Sequence, residues 1–330
     1  MENGKILKMN YRVKKISGDA SFREFYRLKK NNKTSIIVSA KKEKYKNLIV
    51  YSVVNKILNS NKITAPKLIS NHYKNNMMEI SDLGEQSFLN LIIIKKNKAN
   101  DYKSLIKIIF KLQQIKLKKN YKLGKFKIKF PKYTLENLHK ESDLFFDWYL
   151  KYFLKNKNIN KIKRLLRKEL NIVYKKLNFI NNSFVHRDFH VSNIMINKKK
   201  LGLIDSQDAI IGNPLYDVAS LIDDVRIKLP QDLQNKLFKF YWQGSKYKNE
   251  KEEKLKNDFD ILSVQRNLKI LGIFVRLWKR DNKTSYLKYL PYTWTLIERR
   301  LKNPIFKNLN LLMQKNLPIK KLKLLKQYEN

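Results

Sequence analysis

The sequence predicts an α+β fold of two lobes, in which a small, mostly β lobe precedes a larger, mainly helical lobe. Residues 11–40 contain runs rich in β-branched and aromatic residues, separated by polar turns, which is typical of strands. From about residue 85, apolar residues recur every three or four positions over long stretches, which is typical of amphipathic helices. One island of short apolar strands, at 183–205, interrupts the helical pattern.

The small lobe, which we assign to residues 1–80, begins with three predicted strands. The segments YRVKKI, FREFYRL and IIVSA alternate with the polar turns SGDAS and NNKTS. Residues 45–60 place apolar side chains at helical spacing, so we expect one helix after the third strand. The segment NHYKNNMMEISDLG is typical of one more hairpin, which ends at Gly84, and we take residues 81–84 as a hinge.

The helical lobe, residues 85–330, is predicted from stretches of helical periodicity. These stretches are 102–116, 134–156, 161–180, 230–246, 251–280 and 286–301. Within the island, NIMIN, a lysine-rich turn and LGLID predict a β-hairpin that turns at Lys199. Pairing about Lys199 places Asn193 directly opposite Asp205.

Length and composition exclude several classes of protein. With 330 residues, of which 43% are hydrophobic, the chain can form two packed cores, so wholesale disorder is excluded. The absence of cysteine excludes disulfides and cysteine-ligated zinc. The N-terminal segment lacks the apolar core of a signal peptide, and the most apolar run, 89–94, is far shorter than a bilayer span. We therefore expect a soluble, cytoplasmic monomer.

The formal net charge of +44 raises the question of a polyanionic partner. The lysines, however, are spread over nearly every segment instead of being clustered in one patch. We interpret the charge as a solvated surface with no specific nucleic-acid partner and no membrane partner. The alternative, a protein that binds polyanions, would require tight binding that resists salt.

The island contains the chemical motif of the sequence. His186, Arg187 and Asp188 are followed after four residues by Asn193, and this H-R-D-x-x-x-x-N spacing is typical of the catalytic loop of phosphotransferases. The Asp188 carboxylate would accept the proton of an incoming hydroxyl group. The side-chain oxygens of Asn193 and Asp205 would bind a Mg²⁺ ion that also takes water and nucleotide phosphates as ligands. The motif therefore predicts a phosphotransferase with ATP and Mg²⁺ as cofactors.

Residues near the motif have supporting or open roles. We expect His186 to order the loop by hydrogen bonding to the backbone instead of transferring protons. His190 lies inside the loop and either contacts the substrate or only completes the loop. Asp217, at the start of an apolar helix, either complements the helix N-terminus or braces the catalytic loop.

The small lobe offers weaker candidates for nucleotide binding. Gly18 and Ser21 lie in the first turn, which either folds over the phosphates or is an ordinary hairpin loop. Lys41 follows the third strand, where a cation for the α and β phosphates is expected.

Several motifs together resemble known families. HRDFHVSNIMI, IDSQDA and GNPLYDVASLIDD resemble the aminoglycoside phosphotransferase and choline kinase superfamily. GDASFREFYRL, MEISDLG, VQRNLKILGIFVRL and RDNKTSYLKYLP are similar to segments of the bacterial anomeric N-acetylmuramate/N-acetylglucosamine kinases of cell-wall recycling, and the resemblance extends from about residue 16 to 305. It implies a bilobal protein-kinase-like fold, adenine bound at Glu79, Ser81 and Leu83, and phosphorylation of an anomeric hydroxyl group.

The resemblance also implies a small sugar as the acceptor, which needs hydrogen-bonding partners. The candidates are His190, Gln207, Gln265, Arg266 and Arg276. If the helix that contains the last three is continuous, Gln265 shares one face with Lys269 and Arg276. The alternative is that the two arginines pair with surface carboxylates.

A competing hypothesis keeps the fold and changes the acceptor to an aminoglycoside, choline or another amino-alcohol. Such a cation requires a site lined with carboxylates, and the acidic pair that the sequence offers is Asp223 and Asp224. The positive net charge disfavours a cationic acceptor.

Overall fold

The computed structural model describes residues 11–16, 23–31, 33–40, 46–154, 158–197 and 200–323. The chain forms two compact units. The sheet unit comprises Met1–Leu91, Lys118–Lys129 and Ser192–Ala209, and the helical unit comprises Ile92–Leu117, Phe130–Val191 and Ile210–Asn330. The predicted α+β class is confirmed. The sheet unit takes in three segments that the sequence analysis assigned to the helical lobe, residues 85–91, 118–129 and 192–209, and the contiguous lobe boundaries 1–80, 81–84 and 85–330 stay a prediction.

The sheet unit is built on a five-stranded antiparallel sheet. Its strands are β1 (Tyr11–Ile16), β2 (Glu24–Lys30), β3 (Lys33–Ser39), β4 (Leu68–His72) and β5 (Met77–Ser81). Their order is β1-β2-β3-β5-β4. The predicted hairpin is formed by β4 and β5, of which β5 lies next to β3 and β4 is the edge strand. The strands predicted from the β-branched and aromatic runs are therefore confirmed; β1 has the predicted ends, and the ends of β2 and β3 differ by one to three residues.

A helix and two hairpins complete the sheet unit. They are α1 (Lys46–Ser60), β6 (Tyr121–Leu123) with β7 (Phe126–Ile128), and β9 (Ile194–Asn197) with β10 (Lys200–Leu203). The predicted helix 45–60 is confirmed, and it buries Leu48, Val54 and Leu58. A Cβ atom on Gly202 would lie 2.8 Å from Leu83 Cδ1, so this glycine lets β10 pass close to the end of the sheet.

The register of the β9–β10 hairpin differs by one residue from the predicted register. Asn197 pairs with Lys200, and Ile194 pairs with Leu203. The Ile204 N–H group donates to the Asn193 carbonyl oxygen at 3.0 Å, so Asn193 lies opposite Ile204 and not opposite Asp205. The prediction placed one residue, Lys199, at the centre of the turn, whereas two residues separate the paired positions, as in the commonest hairpins. The hairpin itself is confirmed.

The remaining elements are mostly helical. They are α2 (Phe88–Ile94), α3 (Ala99–Gln113), α4 (Leu135–Leu144), α5 (Lys151–Phe153), α6 (Ile159–Tyr174), β8 (Ser183–Val185), β11 (Ile210–Gly212), α7 (Leu215–Ile222), α8 (Gln231–Gly244), α9 (Glu252–Asp281), α10 (Leu290–Arg300), α11 (Lys307–Asn316) and α12 (Ile319–Leu322). The six predicted helical stretches are confirmed, whereas α2, α11 and α12 were not predicted. In the part of the chain that the structure describes, no helix is both long enough and apolar enough to span a membrane.

The long helix α9 is the centre of the helical unit and packs against α4, α7 and α10. A Cβ atom on Gly272 would lie 2.3 Å from the Leu144 carbonyl group and 2.7 Å from the Phe145 nitrogen. Only glycine therefore permits this approach of the two backbones. A π-helical segment, Phe145–Leu150, begins at the contact and joins α4 to α5.

Candidate active site

The catalytic loop begins where β8 ends, and it is tied to α7 by one carboxylate. Asp217, in the first turn of α7, accepts hydrogen bonds from the N–H groups of His186 at 2.7 Å and of Arg187 at 2.9 Å. The His186 ring packs edge-on against Phe189, with 6.1 Å between the ring centres. Burial raises the pKa of Asp217 to about 7, although the two N–H groups favour its charged form. Asp217 thus braces the loop backbone, and the expected hydrogen bond from the His186 ring to the backbone stays a prediction.

Arg187 has a backbone conformation that is rare outside glycine, with φ at 74°. Its guanidinium forms an ion pair with Glu141 of α4, in which Nε donates at 3.1 Å and Nη2 donates to the same oxygen. Strained residues of this kind persist only where the surrounding structure fixes them, and they concentrate at functional sites. Arg187 meets this requirement, because Asp217 binds its backbone N–H group and Glu141 binds its side chain.

Glu141 is the centre of a buried polar cluster that the sequence analysis did not anticipate. We call these residues the Glu141 cluster: Tyr133, Glu141, Arg187, Tyr216, Gln265 and Lys269. The Glu141 side chain accepts from the Tyr133 hydroxyl at 2.6 Å and from the Gln265 amide at 3.0 Å, and Lys269 Nζ lies 3.3 Å from it. Burial raises the pKa of Glu141, but the two cations and the hydrogen bonds outweigh it and lower the pKa to about 2. The cluster therefore contains a permanent carboxylate.

A sequence signal for Glu141 did exist. In α4 it lies at helical spacing from the apolar residues Leu138 and Phe145, on the stripe that a helix buries. An acidic residue on such a stripe needs a partner. The partner, Arg187, is 46 residues away in the chain, so the sequence could not name it.

Asp188, the predicted base, is half-buried. Its carbonyl oxygen accepts a hydrogen bond from the His190 N–H group at 3.0 Å, which closes a tight turn. Asp224 accepts a hydrogen bond from the next N–H group, that of Val191, at 3.1 Å. The loop that contains Asp188 is thus fixed on both sides by carboxylates of the helical unit.

His190 is buried in the loop and stays neutral. Burial lowers its pKa well below the ordinary value, and the nearby Arg226 and Arg266 lower it further. A neutral imidazole offers one hydrogen-bond donor and one acceptor. His190 could therefore bind hydroxyl or amide groups, and the two arginines make its surroundings positive.

The acidic pair Asp223 and Asp224 is already engaged. Arg300 donates two hydrogen bonds to Asp223, at 2.8 and 2.7 Å, and both residues are buried. Asp224 forms an ion pair with Arg226 at 3.1 Å, besides its bond to Val191. Neither carboxylate carries an unmatched negative charge.

The predicted metal ligand Asp205 follows β10 in the sheet unit. It is the second strained residue of the motif, with φ at 60° and ψ at 41°. Its N–H group donates to the Tyr51 hydroxyl of α1 at 3.4 Å, and Arg23 Nη1 lies 3.4 Å from its carboxylate. The Ser206 hydroxyl donates to the Asn55 side chain at 2.8 Å. Burial and the nearby Asp205 carboxylate raise the pKa of Tyr51 to about 12.

The hairpin places an amide side chain and a carboxylate near one end. Asn193 pairs with Ile204, the neighbour of Asp205. Among the described residues, no group of three or more His, Asp or Glu side chains could hold a metal ion. Amide and carboxylate oxygens are the hard ligands that suit Mg²⁺, and this ion readily takes its other ligands from water and phosphates. Asn193 and Asp205 thus fit a magnesium ion bound together with a nucleotide.

The predicted nucleotide-binding residues are only partly described. Gly18, Ser21 and Lys41 lie outside the described residues. Glu79 accepts from the Ser35 hydroxyl at 2.6 Å, within the sheet. Ser81 accepts from the Lys67 N–H group at 2.8 Å, and Leu83 is buried.

The segment that follows β5 is held by an arginine fork. Arg27 of β2 donates to both oxygens of Asp82, at 2.6 and 3.1 Å, and to the Gly84 carbonyl oxygen at 2.8 Å. The Gly84 N–H group donates back to Asp82 at 2.8 Å, and Gly84 has φ at 95°. A fixed backbone at this point is suited to presenting its polar groups to a planar ligand.

The predicted substrate-binding residues differ in their surroundings. Gln207 donates to its neighbour Asp208 at 3.1 Å. Gln265 is fully buried and belongs to the Glu141 cluster, on the same face of α9 as Lys269, as predicted. Arg266 is buried, and Arg276 is half-buried with its pKa lowered by burial and by Arg280. Neither Arg266 nor Arg276 pairs with a carboxylate of the described residues.

Comparisons with known proteins identify relatives over most of the chain. The profile of the phosphotransferase enzyme family (APH) matches residues 12–251. The N-acetylmuramate/N-acetylglucosamine kinase of Neisseria meningitidis serogroup B is 26% identical over 279 residues, which cover 83% of this chain and 81% of that protein. The N-acetylmuramate/N-acetylglucosamine kinase of Pseudomonas aeruginosa is 26% identical over 296 residues, which cover 86% and 83%.

Solved structures share the fold at low identity. An ethanolamine kinase from Plasmodium vivax has a TM-score of 0.62 and 15% identity, with 91% of this chain and 84% of that chain covered. An ADP-bound aminoglycoside phosphotransferase has a TM-score of 0.59 and 13% identity, with 91% and 95% covered. The resemblance inferred from the sequence motifs and the kinase-like fold are both confirmed.

Proposed function

Because the chain belongs to the phosphotransferase enzyme family, we propose that it transfers the γ-phosphoryl group of ATP to the anomeric hydroxyl of N-acetylmuramate or N-acetylglucosamine. The relatives from Neisseria meningitidis and Pseudomonas aeruginosa, which bear these sugars in their names, match more than four fifths of the chain. We assign the reaction to cell-wall sugar recycling in the cytoplasm and expect the enzyme to act as a monomer.

The observation that carries the choice of acceptor is the charge around His190. Two arginines, Arg226 and Arg266, are near this residue, whereas Asp223 and Asp224 are engaged by arginines and backbone groups. A choline-like or aminoglycoside cation would need free carboxylates. A neutral or anionic acetamido sugar needs hydrogen-bond donors and acceptors, which His190 and Gln207 offer.

Asp188 is the proposed base. An anomeric hydroxyl group is more acidic than an ordinary alcohol, so a carboxylate can accept its proton as the phosphoryl group is transferred. The anchored loop would hold the carboxylate in place, and positioning supplies much of the acceleration in phosphoryl transfer. Asp217 would support this geometry by accepting hydrogen bonds from the His186 and Arg187 N–H groups, and the His186 ring, which packs on Phe189, would help to order the loop.

Asn193 and Asp205 would hold the magnesium ion, which neutralises the charge of the phosphates when it is bound. The strained backbone at Asp205 and its contacts with Tyr51 and Arg23 fix the position of the carboxylate. The adenine would bind along Glu79, Ser81 and Leu83.

The triphosphate would bind at the turn that contains Gly18 and Ser21, and Lys41 would contact the α and β phosphates. The helix α1 carries no acidic residue, so it cannot supply the glutamate that pairs with such a lysine in protein kinases. Lys41 is therefore assigned from its place directly after the third strand.

A screen of ATP consumption tests the function directly. We expect turnover with N-acetylmuramate or N-acetylglucosamine and none with their methyl glycosides, which lack the free anomeric hydroxyl group. Phosphorus NMR should show a glycosyl phosphate coupled to the anomeric proton. Efficient phosphorylation of a methyl glycoside, or a preference for kanamycin-like amines or choline, would overturn the proposed acceptor and leave the phosphotransferase mechanism intact.

A further inference from the structure

Arg266 is a buried cation that forms no ion pair with any residue the structure describes. Only 5% of its surface is exposed. Its Nη1 atom is buried and has no hydrogen-bond partner in the described part of the chain, and the residue forms no ion pair there. A buried, unmatched guanidinium is costly, so a group of this kind calls for a physical explanation.

The polar neighbours of Arg266 on α9 do have carboxylate partners. Ser263, Arg266 and Lys269 follow one another at intervals of three residues along the helix. Ser263 donates to Asp223, and Lys269 pairs with Glu141. The arginine between them has no equivalent carboxylate.

The two carboxylates that bind Ser263 and Lys269 also bind arginines. Asp223 receives two hydrogen bonds from Arg300, and Glu141 is bound by Arg187 and Lys269. An extra cation at either carboxylate would add repulsion between like charges. Among the described residues, the positive charge of Arg266 is therefore not matched by an ion pair.

Arg266 also lies beside the catalytic loop. With burial and Arg226, it lowers the pKa of His190, and it favours the charged form of Asp217. The Asp217 oxygens are occupied by the backbone N–H groups of His186 and Arg187. Arg266 is therefore close enough to this loop of the helical unit to act on the charges of His190 and Asp217.

We propose that Arg266 binds a carboxylate of the acceptor, so that the preferred acceptor is an acetamido sugar bearing a carboxylate group. Of the two proposed sugars, N-acetylmuramate carries such a group in its lactyl ether, and N-acetylglucosamine is neutral. A guanidinium binds a carboxylate through two parallel hydrogen bonds, which would satisfy Nη1. This inference rests on the proposed function, and it separates two acceptors that the names of the relatives combine.

The test compares the two sugars with the variant Arg266→Gln. We expect kcat/KM for N-acetylmuramate to fall by about 10- to 100-fold, which is the effect of losing hydrogen bonds to a charged group. For N-acetylglucosamine we expect a smaller loss, so the ratio of kcat/KM for N-acetylmuramate to that for N-acetylglucosamine should fall by about tenfold or more. Arg266→Lys keeps the charge and loses the fork, so its loss on N-acetylmuramate should be intermediate.

The control is Arg280→Gln, on the same helix, which makes the same charge change at an exposed residue paired with Asp281. It should leave the ratio of the two kcat/KM values unchanged. The free energy of unfolding of Arg266→Gln should be unchanged or raised, because the variant removes an unmatched buried charge. Equal losses on both sugars, a loss of stability with no change in the ratio, or wild-type behaviour would each overturn the inference.

Calorimetry with the methyl glycoside of N-acetylmuramate separates this inference from the proposed function. The compound keeps the carboxylate and lacks the free anomeric hydroxyl group, so it reports binding without transfer. Binding that is weakened about 10- to 100-fold by Arg266→Gln supports the carboxylate site, even if the enzyme phosphorylates neither sugar. Binding that is insensitive to the variant overturns the inference and leaves the proposed function standing.

Discussion

The loop that contains Asp188 and the loop that contains Asp205 are anchored by different chemistry. Buried carboxylates hold the first loop. They are Glu141 on the Arg187 side chain, Asp217 on the backbone of His186 and Arg187, and Asp224 on the backbone of Val191. Neutral side chains from α1 hold the second loop, through the Tyr51 hydroxyl and the Asn55 amide.

This difference matches the role that we propose for each loop. Charge-assisted hydrogen bonds are short and strong, so they can fix a base within the small tolerance that proton transfer requires. Around Asp205, anchoring carboxylates would compete for the metal ion. Neutral anchors leave Asp205 as the negative ligand, with Arg23 at 3.4 Å as its cationic neighbour. The first loop should therefore depend on buried charges, and the second on the metal ion.

The largest expected effect comes from removing the charge of Asp205. Asp205→Asn should nearly abolish activity and weaken MgATP binding, because the phosphate charge would no longer be neutralised by a fully held ion. Calorimetry with and without Mg²⁺ measures this directly. The matched control, Asp208→Asn, changes the same charge three residues away at an exposed position and should keep MgATP affinity. An unchanged affinity in Asp205→Asn would show that the metal assignment is wrong.

The next effect is that of the base. Asp188→Asn keeps the shape of the side chain and removes its ability to accept a proton, so turnover should drop by roughly two to four orders of magnitude. MgATP affinity should change little, in contrast to Asp205→Asn. Steady-state kinetics and calorimetry on the same preparation give both values. Turnover near that of the wild type would exclude Asp188 as the base.

Local patterns in the sequence were sufficient for much of the fold. Strands were predicted from β-branched runs, and helices were predicted from apolar spacing. Both kinds of prediction are confirmed, because burial of one face decides the local structure. The continuous helix α9 follows from the same rule, and so does the shared face of Gln265 and Lys269. The register of β9–β10 failed by one residue, because turn length is set by backbone geometry that a lysine-rich turn does not encode.

The parts that the sequence could not supply depend on pairs of residues far apart in the chain. Asp223 and Asp224 were candidates for binding a cation, yet Arg300 lies 77 residues beyond Asp223 and engages it. The Arg187–Glu141 ion pair spans 46 residues. A carboxylate in a sequence looks the same whether it is free or matched, and only the fold decides which it is.

A smaller effect tests the carboxylate anchors of the first loop. Glu141→Gln should lower the free energy of unfolding by about 3 kcal/mol at pH 7, since the folded state lowers the pKa of Glu141 from 4.5 to about 2. A lowered pKa stabilises the fold above the ordinary pKa and loses this effect as the pH falls. The difference between wild type and variant should therefore shrink from about pH 4.5 towards pH 2.

Urea unfolding over this pH range is the measurement for Glu141→Gln. Glu136→Gln, on the same helix, is the control, because Glu136 is exposed and pairs with Lys140 on the surface. Its unfolding curve should follow that of the wild type at neutral pH. A difference for Glu141→Gln that stays constant with pH would mean that packing, and not the buried charge, is what the variant loses.

The smallest effect is expected at the neutral anchor of the second loop. Tyr51→Phe removes a hydroxyl group that accepts a hydrogen bond at 3.4 Å from the Asp205 N–H group, so the loss should be about 1 kcal/mol, seen as a weakening of MgATP binding of about fivefold. Tyr73→Phe is the matched control, since it removes a buried hydroxyl that donates to Ser52 at 2.9 Å in the same unit, without contacting the loop. Both variants should lose similar stability, and only Tyr51→Phe should weaken MgATP binding. If Tyr73→Phe weakened it equally, the anchor would act through the stability of the whole unit and not through the position of Asp205.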